Sequence, residues 1–286
     1  MKYILLLCSL IFNGSLLIAQ STFRYDLNKP NSRHQLPAIL NEVSGLTDLD
    51  ADHVACVQDE LGIIFKYNFR TGKIVSEHRF DSIGDFEGLT FINQTLYILR
   101  SDGQLTAWHN FPQKQEKWTQ SSLPVVTMNN EGLAGDPKFN RLLIAAKSKP
   151  LNHDVKSERY IYAYDLTKNK LIQEPVYSLN VDRLATMAAG LNLLPTDTNS
   201  KGIIKPFNFR PSSLAVHPVT DEIYIISAAD FMLVVMDRKG SILHMKQLDK
   251  TLFPKAEGIT FLNDGTMIIT SEAAGNFPYL NIFSYQ

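Results

Sequence analysis

The chain has 286 residues, of which 44% are hydrophobic, and a formal net charge of -1 at pH 7. This length and composition allow a large buried core and differ from those of disordered chains. The lack of a basic excess argues against nucleic acid as a partner.

The N-terminus, "MKYILLLCSLIFNGSLLIAQS", places one lysine before two apolar stretches, which is typical of an export signal. We expect residues 1–19 to be a signal peptide cleaved after Ala19, and an uncleaved membrane anchor is the alternative. The protein is then exported to the periplasm or cell envelope, or secreted. Residues 20–286 contain no second stretch of about 18 apolar residues, so the sequence predicts one soluble domain without further membrane contact.

A short motif recurs five times along the chain. It reads "SGLTDL" from Ser44, "EGLTF" from Glu87, "EGLAGDP" from Glu131, "SSLAVHP" from Ser212 and "EGITFLNDG" from Glu257, at intervals of 43, 44, 81 and 45 residues. Each copy begins a series of short strand patterns separated by turn-forming residues. Repeats of about 40 to 45 residues with short strands indicate an all-β fold, a β-propeller with one four-stranded blade per repeat.

The interval of 81 residues allows two interpretations, an extra blade or one blade with an insertion. Residues 182–206 show no hairpin signal and resemble a short helix followed by a loop that begins near Pro195. We therefore predict five blades, with six as the alternative.

The last repeat supplies only three strand patterns before the chain ends. We predict that "FRYDL", Phe23 to Leu27, adds the fourth strand to the final blade, because such pairing joins the termini and leaves no exposed edge.

The first residue of each motif is predicted to lie at one end of the axial channel, together with the end of the second strand of its blade. This brings three glutamates from different blades together, and their repulsion requires raised pKa values or a cation. Carboxylate and hydroxyl oxygens suit a hard ion such as Ca²⁺. The alternative is that these glutamates are solvated or paired with Lys147, Lys255 or Arg100. The candidate metal ligands are Glu87, Glu131, Glu257, Asp59, Glu60 and Glu272, and the candidate ligand-facing rim is Ser44, Ser212, Asp102 and Lys147.

With "FEGLTF", "NEGLAGDP", "AEGITFLNDGTMIITSE" and "QDELG", residues 36–286 resemble the YjiK-like, SdiA-regulated family of bacterial proteins. These are exported or membrane-anchored propellers distantly similar to NHL repeats. The resemblance implies five blades and a bound calcium ion held by Glu87, Glu131 and Glu257, with Asp59, Glu60 and Glu272 as weaker candidates. Lys147 and Lys149 depart from this pattern by bringing positive charge close to the ring.

No nucleophile elbow, P-loop, dinucleotide fingerprint or HExxH motif is present. We therefore expect a monomeric, calcium-binding propeller that binds an unidentified protein or envelope ligand without catalysing a reaction. The alternative is a calcium-dependent hydrolase of lactones, esters or phosphodiesters at the same end of the channel, with His153 and Asp154 as candidate acid and base. His217, beside a turn at the other end, is predicted to be structural.

Overall fold

The computed structural model describes residues 22–113, 118–124, 127, 129–149, 156–196 and 198–286. In these ranges the chain forms five antiparallel sheets of four strands each. The innermost strands contact one another in cyclic order, so the sheets are the blades of a closed ring. The prediction of a five-bladed β-propeller is confirmed, and the six-bladed alternative is wrong.

Each blade follows the chain outward from the channel, and the last blade is completed from the N-terminus. Blade 1 contains β2 (Val43–Asp48), β3 (His53–Gln58), β4 (Leu61–Asn68) and β5 (Lys73–Ile83). Blade 2 contains β6 (Phe86–Ile92), β7 (Thr95–Arg100), β8 (Gln104–His109) and β9 (Trp118–Ser122). Blade 3 contains β10 (Asn130–Asp136), β11 (Arg141–Ala146), β12 (Glu158–Asp165) and β13 (Lys170–Asn180). Blade 4 contains β14 (Ser213–Val216), β15 (Ile223–Ser227), β16 (Met232–Met236) and β17 (Ile242–Gln247). Blade 5 contains β18 (Ala256–Phe261), β19 (Met267–Ser271), β20 (Tyr279–Phe283) and β1 (Ser32–Gln35).

The N-terminal strand closes the ring as predicted, but the predicted residues were wrong. The closing strand is β1, which pairs antiparallel with β20. Phe23 to Leu27 form no strand, and Tyr25 and Leu27 are instead buried between blades 4 and 5. The alternation of apolar residues in "FRYDL" therefore reflects side-chain packing and not sheet pairing.

The insertion in the long interval is a helix followed by an irregular segment, as predicted. The helix α1 (Val181–Gly190) begins after Asn180, whose side chain accepts a hydrogen bond from the backbone N–H of Arg183. Leu184 and Ala188 anchor it in the core between blades 3 and 4. Among the residues that the structure describes, no helix has the length and apolar character needed to span a membrane.

Neighbouring innermost strands approach so closely that the second motif residue must be small. A Cβ at Gly88 would lie 2.6 Å from the Cβ of Leu133 in the next blade. The corresponding pairs are Gly45 with Leu89, Gly132 with Leu214 and Gly258 with Leu46. The glycine of one repeat thus accommodates the leucine of the next, which explains why the two recur together.

Two predictions fall on residues outside the described ranges. They are the signal peptide or anchor at residues 1–19 and the acid and base candidates His153 and Asp154.

Candidate functional site

The three motif glutamates are the extra residues of β-bulges at the start of their strands. The pairing register skips Glu87 between Phe86 and Gly88. Blades 3 and 5 show the same shift at Glu131 and Glu257. A bulge redirects the side chain of the extra residue, and here it brings the three carboxylates together at one end of the channel. We call this group, with Glu272, Lys147 and Lys255, the glutamate mouth.

The glutamate mouth combines buried carboxylates with two lysines. Glu131 and Glu257 are only 2% and 4% exposed. The Nζ of Lys147 lies 2.6 Å from Oε1 of Glu131. The Nζ of Lys255 lies 2.7 Å from Oε2 of Glu272 and 3.5 Å from Oε1 of Glu257. The pairing of Glu131 with Lys147, inferred from strand order, is confirmed.

The carboxylates of the mouth are short of positive charge. Burial, reinforced by Glu131, Asp85 and Glu257, raises the pKa of Glu87 to about 9. Burial and the neighbouring Glu257 raise the pKa of Glu131 to about 8, although Lys147 opposes the shift. Four glutamates face two ammonium groups, and the raised pKa values of Glu87 and Glu131 mean that without a cation protons neutralise the carboxyls that the lysines do not.

Two of the buried carboxylate oxygens have no hydrogen-bond partner. They are Oε2 of Glu131 and Oε1 of Glu257, because the 3.5 Å contact of the latter with Lys255 is an ion pair without a hydrogen bond. A buried polar atom without a partner is costly and points to an unfilled interaction. Both oxygens belong to side chains that are more than nine-tenths buried.

A second acidic group adjoins the mouth. Burial, together with Glu42 and Glu272, raises the pKa of Asp59 to about 7, and its buried Oδ1 has no hydrogen-bond partner. Glu272 contributes to both groups, because it raises the pKa of Asp59 and forms an ion pair with Lys255 of the mouth. The sequence did not single out Glu42, which lies in the loop before β2. Glu60 is exposed, and its recorded hydrogen bonds are those of its backbone.

The four predicted rim residues differ from one another in burial and in the contacts that they make. Ser44 and Ser212 are buried at the starts of their blades, and the Ser212 hydroxyl donates a hydrogen bond to the carbonyl of Ala256 (2.8 Å). Asp102 is exposed and bound to Arg100 at 2.6 Å. Lys147 contacts Glu131, and a hydrogen bond with Ser212 opposes the raised pKa of the buried Glu257.

Two large cavities lie at this end of the propeller. One of about 650 Å³ is lined by Glu42, Gln58 and Glu272. The other, of about 570 Å³, lies between the segment after α1 and the turn after β15, where Leu194 and Phe231 line it. The first cavity adjoins the mouth through Glu272 and is large enough to admit a small ligand.

The opposite end, which we call the threonine end, is joined by hydrogen bonds from backbone N–H groups to threonine hydroxyls and by an ion pair between Arg238 of blade 4 and the buried Asp136 of blade 3 (2.9 Å). The hydroxyl of Thr47 accepts from the N–H of Phe91 (3.0 Å), and that of Thr90 accepts from Gly135 (2.8 Å). Its cavity is about 160 Å³, and the five aliphatic motif residues line it. These are Leu46, Leu89, Leu133, Leu214 and Ile259.

Tyr25 and His217 connect blades 4 and 5 to the N-terminal segment at the threonine end. The Nδ1 of His217 accepts hydrogen bonds from the N–H groups of Val219 and Thr220, so its Nε2 donates to the hydroxyl of Tyr25 (2.7 Å). Tyr25 in turn donates to the carbonyl of Gly265. His217 is buried and serves the structural role predicted for it.

The fold and this acidic channel mouth define a five-bladed β-propeller with a candidate cation-binding site. A family model described as SdiA-regulated matches residues 17–279, and the chain belongs to that family. This confirms the resemblance seen in the motifs. No curated protein matches the chain.

The chain is also similar to solved structures. Glutaminyl cyclase from Myxococcus xanthus is similar with a TM-score of 0.59 and 15% identity, over 89% of this chain and 94% of that one. Virginiamycin B lyase from Staphylococcus aureus has a TM-score of 0.45 and 13% identity, over 88% of this chain and 73% of that one. At such identities the glutaminyl cyclase similarity concerns the fold alone.

Proposed function

We propose that this chain is an exported binding module that holds a cation at its glutamate mouth and is not an enzyme. Calcium is the ion that its oxygen donors suit. The observation that carries the proposal is the pair of buried oxygens, Oε2 of Glu131 and Oε1 of Glu257, that have no hydrogen-bond partner. A cation there would take the place of the protons that the raised pKa values of Glu87 and Glu131 keep on these carboxyls.

The donor chemistry of the mouth fits calcium. Glu87, Glu131 and Glu257 would hold the ion, which would supply positive charge and stiffen the channel where three blades meet. Within the described ranges, no group of three or more His, Cys, Asp or Glu side chains is gathered closely enough to hold a metal ion. Binding therefore requires the carboxylates to move together, and Lys147 is the side chain between them.

The same end of the propeller offers the surface for a partner. The segment after α1 and the loop before β2 border the two large cavities beside the mouth. The export signal at residues 1–19 supports a role in the periplasm or cell envelope, where the partner is another protein or an envelope ligand. In this proposal the protein acts as a monomer.

Calcium binding is tested on the chain without residues 1–19. Elemental analysis of the purified protein and calorimetric titration with CaCl₂ measure the ion directly. We expect saturating calcium to raise the melting temperature, because at 100 times Kd the gain is about 2.7 kcal/mol. The Glu257→Gln variant should lose this shift, and Glu77→Gln, on the exposed outer strand β5, should keep it. No bound calcium and no shift in any form of the protein would refute the proposal.

A second candidate function, a calcium-dependent hydrolase, is favoured by one observation. The raised pKa of Glu131 leaves this carboxyl largely protonated at neutral pH, as a proton donor requires. Lactone, ester and phosphodiester substrates are screened with and without chelator, together with a glutaminyl substrate because of the fold shared with glutaminyl cyclase. Turnover that is lost in Glu131→Gln and retained in Glu77→Gln would replace the binding module by an enzyme.

A further inference from the structure

Lys147 is positioned by the end of a strand in blade 3. It follows Ala146, the last residue of β11, and its backbone N–H donates to the carbonyl of Asn129 (2.9 Å). From there its side chain reaches Oε1 of Glu131 at 2.6 Å. The side chain is 26% exposed, so one path to solvent stays open.

The Lys147 ammonium is the positive charge that all three motif glutamates share. It lowers the pKa of Glu87, Glu131 and Glu257 against the effect of burial. Burial by itself would lower the pKa of Lys147, but Glu257, Glu131 and Glu87 together raise it. Lys147 therefore contacts Glu131 directly, at 2.6 Å, and its charge acts on Glu87 and Glu257 as well.

Lys255 has a different position. Its shorter contact is with Glu272, at 2.7 Å, and its contact with Glu257 is 3.5 Å. Of the two lysines, Lys147 is the one whose shortest contact is with a motif glutamate, whereas the shortest contact of Lys255 is with Glu272.

We propose that the Lys147 ammonium occupies the place of the ion and must leave it before a divalent cation can bind. This inference rests on the proposed cation-binding function and adds the residue that limits affinity. Without metal, Lys147 holds the carboxylates together, and on binding its flexible four-carbon side chain moves to the solvent. The free energy of calcium binding is then the free energy gained when the glutamates bind the ion minus the free energy lost when they release the lysine.

The first test compares calcium affinity among variants by calorimetric titration with CaCl₂. We expect Lys147→Gln to bind calcium at least about tenfold more tightly than the original chain, a difference of about 1.4 kcal/mol. Lys147→Arg keeps the charge and should bind no more tightly than the original chain. Lys149→Gln, two residues away and exposed, should leave the affinity unchanged. Equal affinities for the original chain and Lys147→Gln would overturn the inference.

The second test needs no variant and so does not depend on the variants folding. Lysines of the original chain are acetylated briefly in chelator or in CaCl₂, and the modified positions are quantified by mass spectrometry. We expect acetylation of Lys147 to increase severalfold with calcium and that of Lys149 to stay constant. Unchanged protection of Lys147 in calcium-loaded protein would overturn the inference.

The outcomes separate the inference from the proposed function. Calcium bound by the original chain with no effect of Lys147→Gln removes the inference alone. Calcium bound only by Lys147→Gln supports the inference and shows that lysine has replaced the metal in this chain. No calcium in any form removes both.

Discussion

The two ends of the channel differ in the contacts that neighbouring blades make there. At the threonine end, neighbouring blades are joined by hydrogen bonds between hydroxyls and backbone N–H groups, and the His217 and Tyr25 pair is fully bonded. At the glutamate mouth, bulged strands direct carboxylates toward one another and two buried oxygens have no partner. The threonine end also holds a buried carboxylate, Asp136, with one oxygen that lacks a partner, but two arginines bind its other oxygen, whereas the carboxylates of the mouth adjoin one another. The binding role proposed above rests on this difference.

The largest expected effect on stability comes from a side chain that prevents the close approach of innermost strands in neighbouring blades. In Gly88→Ala the new Cβ would lie 2.6 Å from Leu133 Cβ and 2.9 Å from the carbonyl oxygen of Glu131. We expect the free energy of unfolding to fall by about 3 kcal/mol, measured by urea denaturation. Gly190→Ala is the control, because no atom lies within 4 Å of its Cβ, and it should not destabilise the protein. Equal stability of the two variants would contradict the close packing of the blades.

Removal of one hydroxyl group should weaken the packing at the threonine end. Tyr25→Phe leaves the Nε2–H of His217 and the carbonyl of Gly265 without their shared partner in a buried site. We expect a loss of about 2 kcal/mol in the free energy of unfolding. Tyr285→Phe, in the same aromatic cluster, should lose less than about 0.5 kcal/mol. A loss for Tyr25→Phe no greater than that for Tyr285→Phe would show that the hydroxyl does not join the termini to blades 4 and 5.

Removing a charge from the glutamate mouth should raise the free energy of unfolding, whereas removing the Tyr25 hydroxyl should lower it. The raised pKa of Glu87 means that folding becomes less favourable as pH rises from the unfolded value, about 4.3, through about 9. In chelator, Glu87→Gln should therefore increase the free energy of unfolding at pH 8 by on the order of 1 kcal/mol, with little gain at pH 4. The measurement is denaturation at both values with Glu77→Gln as control. A stability loss at pH 8 would show that Glu87 is well compensated without metal.

The smallest expected effect is a difference in pH dependence at the threonine end. Burial lowers the pKa of His217, opposed by Glu222, so the folded protein favours the neutral ring. Its contribution to stability is present above the unfolded value, about 6.5, and is lost as pH falls below it. Between pH 7.5 and 5 the original chain should lose a few tenths of a kcal/mol more than His217→Gln. Since His78 and His244 also have lowered pKa values, only the difference between the two proteins isolates His217.

The sequence was most informative where sterics and chemistry repeat together. The recurring motif and its spacing predicted the innermost strands and placed the first motif residue at one end of the channel. The structure supplies the steric reason for the recurrence, because each motif glycine must admit the leucine of the next blade. The convergence of Glu87, Glu131 and Glu257 followed from that spacing alone. Their raised pKa values were one of the two outcomes that the sequence allowed.

Other features depended on contacts that no local pattern encodes. The closing strand β1, "SRHQ", lacks the apolar alternation of a strand because it pairs along the outer edge of blade 5. Asp102, a candidate for the rim, is paired with the nearby Arg100, a contact that the sequence did not indicate. The buried oxygens without a hydrogen-bond partner depend on side-chain rotamers, so they and the contact of Lys147 with Glu131 became visible only in the structure.

The pairing of β1 with β20 also dictates when the molecule can be completed during synthesis. Residues 32–35 pair with residues 279–282, so strand β1 has no partner until β20 has been made. Until then the ring stays open, and its closure depends on a contact between strands that are about 250 residues apart in the sequence.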